Sequence, residues 1–159
     1  MNVNLLYAVI ESYHGLANRR ELIVNGVDPG WIDVAAWYRR NLIRVRKGWY
    51  ARTTERLDVL SAWRVGGRLT CVSALAFHAG WEAGPVLHLE VPANAARLRD
   101  PHDRRRRLGE DAAVVVHWTR HPGPGDRRAV TEAHAAAVAA LCGVHGAGVP
   151  GRASAAAAG

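Results

Sequence analysis

Cysteine is nearly absent from this chain. Cys71 and Cys142 are the only two, and neither belongs to a C-x-x-C pair. That excludes a disulfide framework and a zinc ribbon. Lysine is scarcer still: Lys47 is the sole lysine, and the other basic residues are arginines in an Ala- and Gly-rich background. No apolar stretch is long enough to span a membrane. The opening residues MNVNLLYAVIESY lack a basic segment followed by a signal-length apolar run. A soluble, cytoplasmic protein with no membrane partner is expected. Catalytic signatures are missing too. There is no Gly-rich phosphate loop, no serine in a nucleophile elbow, and no carboxylate cluster with a lysine that would suggest a metal-dependent nuclease. The expectation is a protein that is not an enzyme and needs no cofactor.

The 159 residues suffice for one ordinary domain, or a small one with an appendage. Half of them are apolar, enough to bury a core. The formal charge of +7 suits a polyanionic partner, most simply nucleic acid. Codon bias toward arginine would produce the same excess, so the placement of charge matters more than its total.

Residues 15–50 carry the most specific pattern. Before them, residues 2–14 place Leu5, Leu6, Val9, Ile10 and Tyr13 at helical spacing, with Gly15 as the stop. A second helix starts at Asn18, where Asn18-Arg19-Arg20-Glu21 has the form of a capping box. Gly26 ends it. A third helix starts at Asp28-Pro29, with proline at the first helical position, and runs to about Arg40. A basic hairpin follows. Ile43-Arg44-Val45-Arg46 alternates apolar and basic residues, Arg46-Lys47-Gly48 turns, and Trp49-Tyr50-Ala51 returns. Ile43 and Val45 should face the core, with Arg44 and Arg46 sharing the outer face. Helix, helix, basic wing is the layout of a winged helix-turn-helix.

Between Arg19 and Arg56, nine basic residues stand against four acidic ones. The residues expected to contact DNA are Arg19, Arg20, Gly30, Asp33, Trp37, Arg39, Arg40, Arg44, Arg46 and Lys47. On the third helix, Trp31, Val34, Ala35 and Tyr38 form one stripe, expected to pack inward. Gly30, Asp33, Trp37 and Arg40 form another, expected to face the groove. Arg39, Arg40 and the wing cations would take phosphates.

Beyond the wing, residues 54–65 read as a helix ending at Gly66-Gly67. Thr70 should cap a helix from Cys71 to His78, closed by Gly80. Val86–Val91 and Ala112–Trp118 read as strands, with Leu87, Leu89 and Val91 on one face. The run Arg104–Arg107 between them reads as a solvated loop whose charge Asp100, Asp103, Glu110 and Asp111 cancel. His78, His88 and His117, with Cys71, are of zinc-ligating types. Their spacing matches no metal motif, so they are expected as helix-end and strand-surface residues, with no metal. Residues 129–141 could form a helix, and 143–159 have almost nothing to bury. The expected whole is an α+β protein: a winged helix-turn-helix over 1–53, a small α/β module over 54–120, and a partly disordered, flexible Ala/Gly-rich tail over 121–159.

The order GVDPGWIDVAAW, LIRVRKGWYA, GGRLTCVSALAFHAGW, LHLEVPANAARLR and VVVHW resembles the AbiEi-type antitoxin family of type IV toxin-antitoxin systems, over residues 3–120. The shared features are the wing end Arg46-Lys47-Gly48-Trp49-Tyr50, the Ser73-Ala74-Leu75 helix reaching His78, the His88 to Val91-Pro92 strand end, and Val115-Val116-His117. The resemblance implies a transcriptional repressor that binds inverted repeats in its own promoter and controls an operon with a neighbouring toxin. It implies that Arg44, Arg46 and Lys47 match the wing and residues 29–40 the recognition helix. Members of that family continue into a further domain, where this chain turns Ala- and Gly-rich after residue 121. Two rival readings follow: a protein-interaction module that binds a cognate toxin, and a truncated remnant of a regulator-nuclease fusion.

Overall fold

The computed structural model describes residues 3–38 and 42–143. Helix α1 (Val3–Ser12) buries Leu6, Val9 and Ile10, the inward side of the expected stripe, and leaves Leu5 exposed. It stops where His14 and Gly15 enter the left-handed region, and the Gly15 amide donates back to the Ile10 carbonyl. Strand β1 (Leu16–Asn18) follows, too short for a sequence alternation to reveal it. Helix α2 (Arg19–Val24) has the full capping box: the Glu21 amide donates to Asn18 Oδ1 at 2.9 Å, and the Asn18 amide to Glu21 Oε2 at 2.8 Å. Helix α3 (Pro29–Tyr38) starts with Asp28 accepting from the Trp31 amide.

The hairpin joins β2 (Leu42–Arg46) to β3 (Trp49–Arg52) through Lys47 and Gly48, with Gly48 at φ +77°. Such a turn needs a residue that tolerates positive φ. Strand β3 lies between β1 and β2, antiparallel to both. This sheet has a core on each side. Ala17, Leu42 and Tyr50 join α1, α2 and α3 in one cluster. Leu16, Val45 and Ala51 join the second half of the chain in the other, and Ile43 packs against it. Ile43 and Val45 thus share an inward face, as expected.

Helix α4 (Leu57–Val65) begins three residues later than the sequence suggests and ends at Gly66. Then come β4 (Arg68–Leu69), α5 (Cys71–His78), β5 (Leu87–Pro92), β6 (Val114–Thr119) and α6 (Glu132–Leu141). The second sheet has the order β4-β5-β6, with β5 antiparallel to β4 and parallel to β6. As the middle strand, β5 is buried on both faces from His88 to Val91. Its His88 and Glu90 are therefore not the outward residues of a half-buried strand.

The stretch expected to begin the tail is ordered against the rest, with Cys142 as its last packed residue. Residues 128–130 run beside β4 through the Leu69 amide to the Arg128 carbonyl and the Val130 amide to the Leu69 carbonyl. Ala129, Val130 and Ala135 are buried. Arg127 pairs with Glu21 at 2.7 Å, and Arg128 with Glu55 at 2.9 Å and Glu11 at 3.2 Å. These arginines tie the first helices to the second sheet. The expected disorder of 144–159 lies outside the described residues.

The Glu21–Arg127 pair makes a pH prediction. Hydrogen bonding from Arg127 holds the Glu21 carboxyl below its ordinary value, against the opposing effect of burial. A depressed folded pKa means stability that is complete above the unfolded value, about 4.3, and lost as pH falls through the folded one. Glu21→Gln keeps a capping side chain and removes the charge. Wild type should be the more stable at about pH 7, and the gap in denaturant midpoint should close as pH drops below about 4. A gap that persists in acid would assign the effect to packing.

Candidate functional site

The β2–β3 turn opens onto a cleft of about 390 Å³ lined by Arg44, Arg46, Lys47 and Trp49 from the hairpin and by Arg97, Arg99 and Arg104 from the β5–β6 connection. Six of the seven lining residues are cations and none is acidic. The sequence presents these groups as two separate features about fifty residues apart. The connection folds back across α4 to join them: the Arg99 amide donates to the Val65 carbonyl, and Leu98 packs against the larger core. Asp100 and Asp103, expected to cancel the arginine run, are engaged by backbone. Asp100 accepts from the amides of His102 and Asp103, and Asp103 from that of Arg105. Backbone hydrogen bonding holds the Asp100 carboxyl below its ordinary range. The run itself is divided. Arg104 lines the hairpin cleft, whereas Arg106 and Arg107 line a second cavity of about 520 Å³ that also holds Asp58 and Asp100.

Arg44 is exposed and Arg46 is half-buried. Their expected common outer face is broken by a bulge. Arg44 stands opposite Tyr50, and the register slips so that Arg46 stands opposite Trp49. A slip of one residue moves a side chain to the other face of a strand. The Arg46 guanidinium lies against Gly66, where a Cβ would come within 3.1 Å of it. Burial pushes its pKa down.

Arg19 and Asp33, both expected at the DNA face, are paired with each other. Arg19 donates to Asp33 through two nitrogens at 2.6 and 2.9 Å, and to the Pro29 carbonyl at 3.2 Å. That bidentate contact fixes α2 against α3. It also raises the pKa of Arg19 and lowers that of Asp33. Arg20, Gly30 and Trp37 are exposed as expected. Arg39 and Arg40 lie outside the described residues.

The inward stripe of α3 differs from expectation. Ile32 and Ala35 are buried and Trp31 partly so, whereas Val34 and Tyr38 are 51% and 66% exposed. With Trp37 at 83%, they form an apolar patch beside the polar positions. The helix is only ten residues long and contacts its neighbours along one narrow side, so aromatics that sequence reasoning assigned to the core stay outside.

A second constellation joins three of the zinc-ligating types noted in the sequence, Cys71, His88 and His117, to Cys142, which the sequence did not single out. Cys71, His88, His117 and Cys142 each present a ligand-type atom, and these four atoms lie within 4.8 Å of one another. Cys71 is buried at the first position of α5, with φ at +52°, a region costly for a non-glycine residue. The expected Thr70 side-chain cap is absent there. Instead the Thr70 amide donates to the His88 carbonyl, and the His88 amide donates to Ser73 Oγ. Both backbone groups of His88 are thus tied to the start of α5. His88 faces Val115 in the parallel ladder, so His117 is its diagonal neighbour on one face. Their nitrogens, Nδ1 of His88 and Nε2 of His117, approach to 3.1 Å. Cys142 closes α6 and brings its Sγ to 3.9 Å from His88 Nδ1 and 3.8 Å from His117 Nε2. Burial lowers the pKa of His117, and that of His88 to about 4, with the neighbouring His117 adding to the second shift. Burial pushes the Cys71 thiol up to about 12. His78, grouped with these residues by type, is elsewhere, against the Val130 carbonyl. No spacing rule could have found Cys142, because α6 supplies it from 25 residues beyond His117.

No helix of the described residues is long and apolar enough to cross a membrane. No protein-family model matches this chain, and no curated protein matches it.

Proposed function

We propose that this chain binds double-stranded DNA in a sequence-specific manner and represses transcription by covering a promoter, in the manner of an autoregulating antitoxin. The observation that carries the reading is the six-cation cleft at the wing turn. Phosphate neutralisation supplies a large share of the affinity in such complexes. The element order α1-β1-α2-α3-β2-β3, with β3 central in its sheet, supports reading this half as a winged helix-turn-helix. That arrangement supports α3 as the groove reader and Lys47 as the wing tip. Strand β2, which carries Arg44, packs against α3, which supports the hairpin and α3 forming one surface. On this reading Gly30 and Trp37 face base edges, Arg20 and the cleft take phosphates, and the Arg19–Asp33 pair braces the two helices. The operon and its neighbouring toxin rest on the family resemblance.

The exposed Val34, Trp37 and Tyr38 favour a second reading, an apolar surface for a protein partner such as a toxin. One titration separates the two. A labelled duplex from the gene's own upstream region and a scrambled duplex are titrated at low and high salt. Preference for the upstream duplex that survives higher salt is expected. Equal, salt-sensitive binding to both would overturn sequence-specific repression and favour the protein partner.

A further inference from the structure

We propose that Cys71, His88, His117 and Cys142 bind one zinc ion in a closed tetrahedral site that clamps α5 and α6 to the β5–β6 face. The donor set is two thiols and two imidazoles, the composition of a structural zinc site. Four protein donors leave no position for water or substrate, so the centre would hold structure and perform no chemistry. Thiolate with imidazole selects zinc over magnesium or calcium, which prefer oxygen.

The distances fit. Bonds of about 2.0–2.1 Å to nitrogen and about 2.3 Å to sulfur place tetrahedral donors about 3.3 Å apart for two nitrogens and about 3.6 Å for nitrogen and sulfur. The two nitrogens here stand 3.1 Å apart, and Cys142 Sγ stands 3.8 and 3.9 Å from them. Placement is equally specific. The chain's only two cysteines come from opposite ends of two helices that pack together, and they meet two histidines on adjacent strands. Both are free thiols rather than a disulfide. Cys71 holds a strained left-handed backbone in a buried position. Such strain persists where the surroundings impose it, and it gathers at functional sites. A metal here would also explain how α6, an Ala-rich helix with little to bury, is held in place.

The test uses the untagged full chain. Metal content is measured after dialysis, and the chain is then stripped with chelator and titrated with Co²⁺. One zinc per chain is expected. So is a cobalt spectrum with intense visible bands of a tetrahedral centre and a sulfur-to-metal charge-transfer band. Cys142→Ser changes a half-buried residue at a helix end and should still fold. In it the charge-transfer band should weaken. Metal affinity should fall by more than the roughly 10- to 100-fold that losing a supporting partner costs. His117→Gln should lose affinity to a similar extent while keeping both thiolates. Zinc should raise the melting temperature of wild type and leave Cys142→Ser unmoved. A zinc-free chain whose cobalt complex lacks the charge-transfer band would overturn the proposal. So would undiminished zinc in Cys142→Ser, or a Cys71–Cys142 disulfide formed in the presence of zinc.

Discussion

On the proposed DNA-binding reading, replacing Arg44, Lys47 and Arg97 together with glutamine should cut affinity for duplex DNA by about 500-fold at about 0.1 M salt. The figure follows from counterion release. Each neutralised phosphate contributes about 0.9 to the slope of log K against log salt, so three lost contacts flatten it by about 2.7. If the lines converge near 1 M, the same 2.7 is the loss in log K at tenfold lower salt. These three residues are exposed and line one cleft. Arg46 is left alone because it is half-buried against Gly66, and its removal would disturb the α4 terminus as well. Glutamine keeps the two inner methylenes of each stem, so packing next to the backbone is retained. The measurement is fluorescence anisotropy over a salt series, with far-ultraviolet dichroism to verify folding. Including Arg97 is the sharp part of the test. A winged helix acting alone would use Arg44 and Lys47 and show a change near 1.8. A slope unchanged in the triple variant would remove the cleft from the binding surface.

Trp63→Ala should destabilise the fold by about 3–5 kcal/mol, the largest single-residue effect expected outside the cysteine-histidine cluster. Trp63 is the largest of the fully buried side chains and sits in the cluster shared by α4, both sheets and the 129–135 segment. Its indole Nε1 donates to the Arg127 carbonyl at 2.6 Å. Truncation leaves a cavity and also an orphaned acceptor, in the very residue whose side chain pairs with Glu21. Trp63→Phe separates the two losses. It keeps most of the volume and should cost about 1–3 kcal/mol, the price of the unmet carbonyl. Against a total of about 5–15 kcal/mol for a domain of this size, the alanine variant should unfold at a markedly lower urea midpoint. An alanine variant within about 0.5 kcal/mol of wild type would mean that residues 127–130 do not close the core.

The local elements were legible because their signals lie within a few residues of one another. Asn18 and Glu21 form a capping box at the spacing that defines one. Asp28-Pro29 starts α3, and Gly48 turns the hairpin. These depend on backbone amides and φ angles, which neighbours in the chain decide. The wing's alternation likewise placed Ile43 and Val45 inward. It failed at Arg46, because a bulge depends on the partner strand and leaves no mark in composition. The inward stripe of α3 failed for a related reason. Hydrophobic periodicity gives a face, but the extent of the neighbouring surface decides how much of that face is covered.

The sequence by itself determined the short-range facts: where the capped helices start, that the hairpin is basic, and that no apolar run is long enough to span a membrane. Tertiary structure decided which distant groups share a surface. It brought Arg97, Arg99 and Arg104 to Arg44 and Lys47 across some fifty residues of chain. It drew Ala129, Val130 and Ala135 into the core, with Arg127 and Arg128 tying their segment to the first helices. It also gathered two cysteines and two histidines of unrelated spacing into one cluster. The physical reason is common to all three. A cap or a turn closes over a handful of bonds, whereas a cleft or a ligand set is assembled by loops whose path is set by whatever core they enclose.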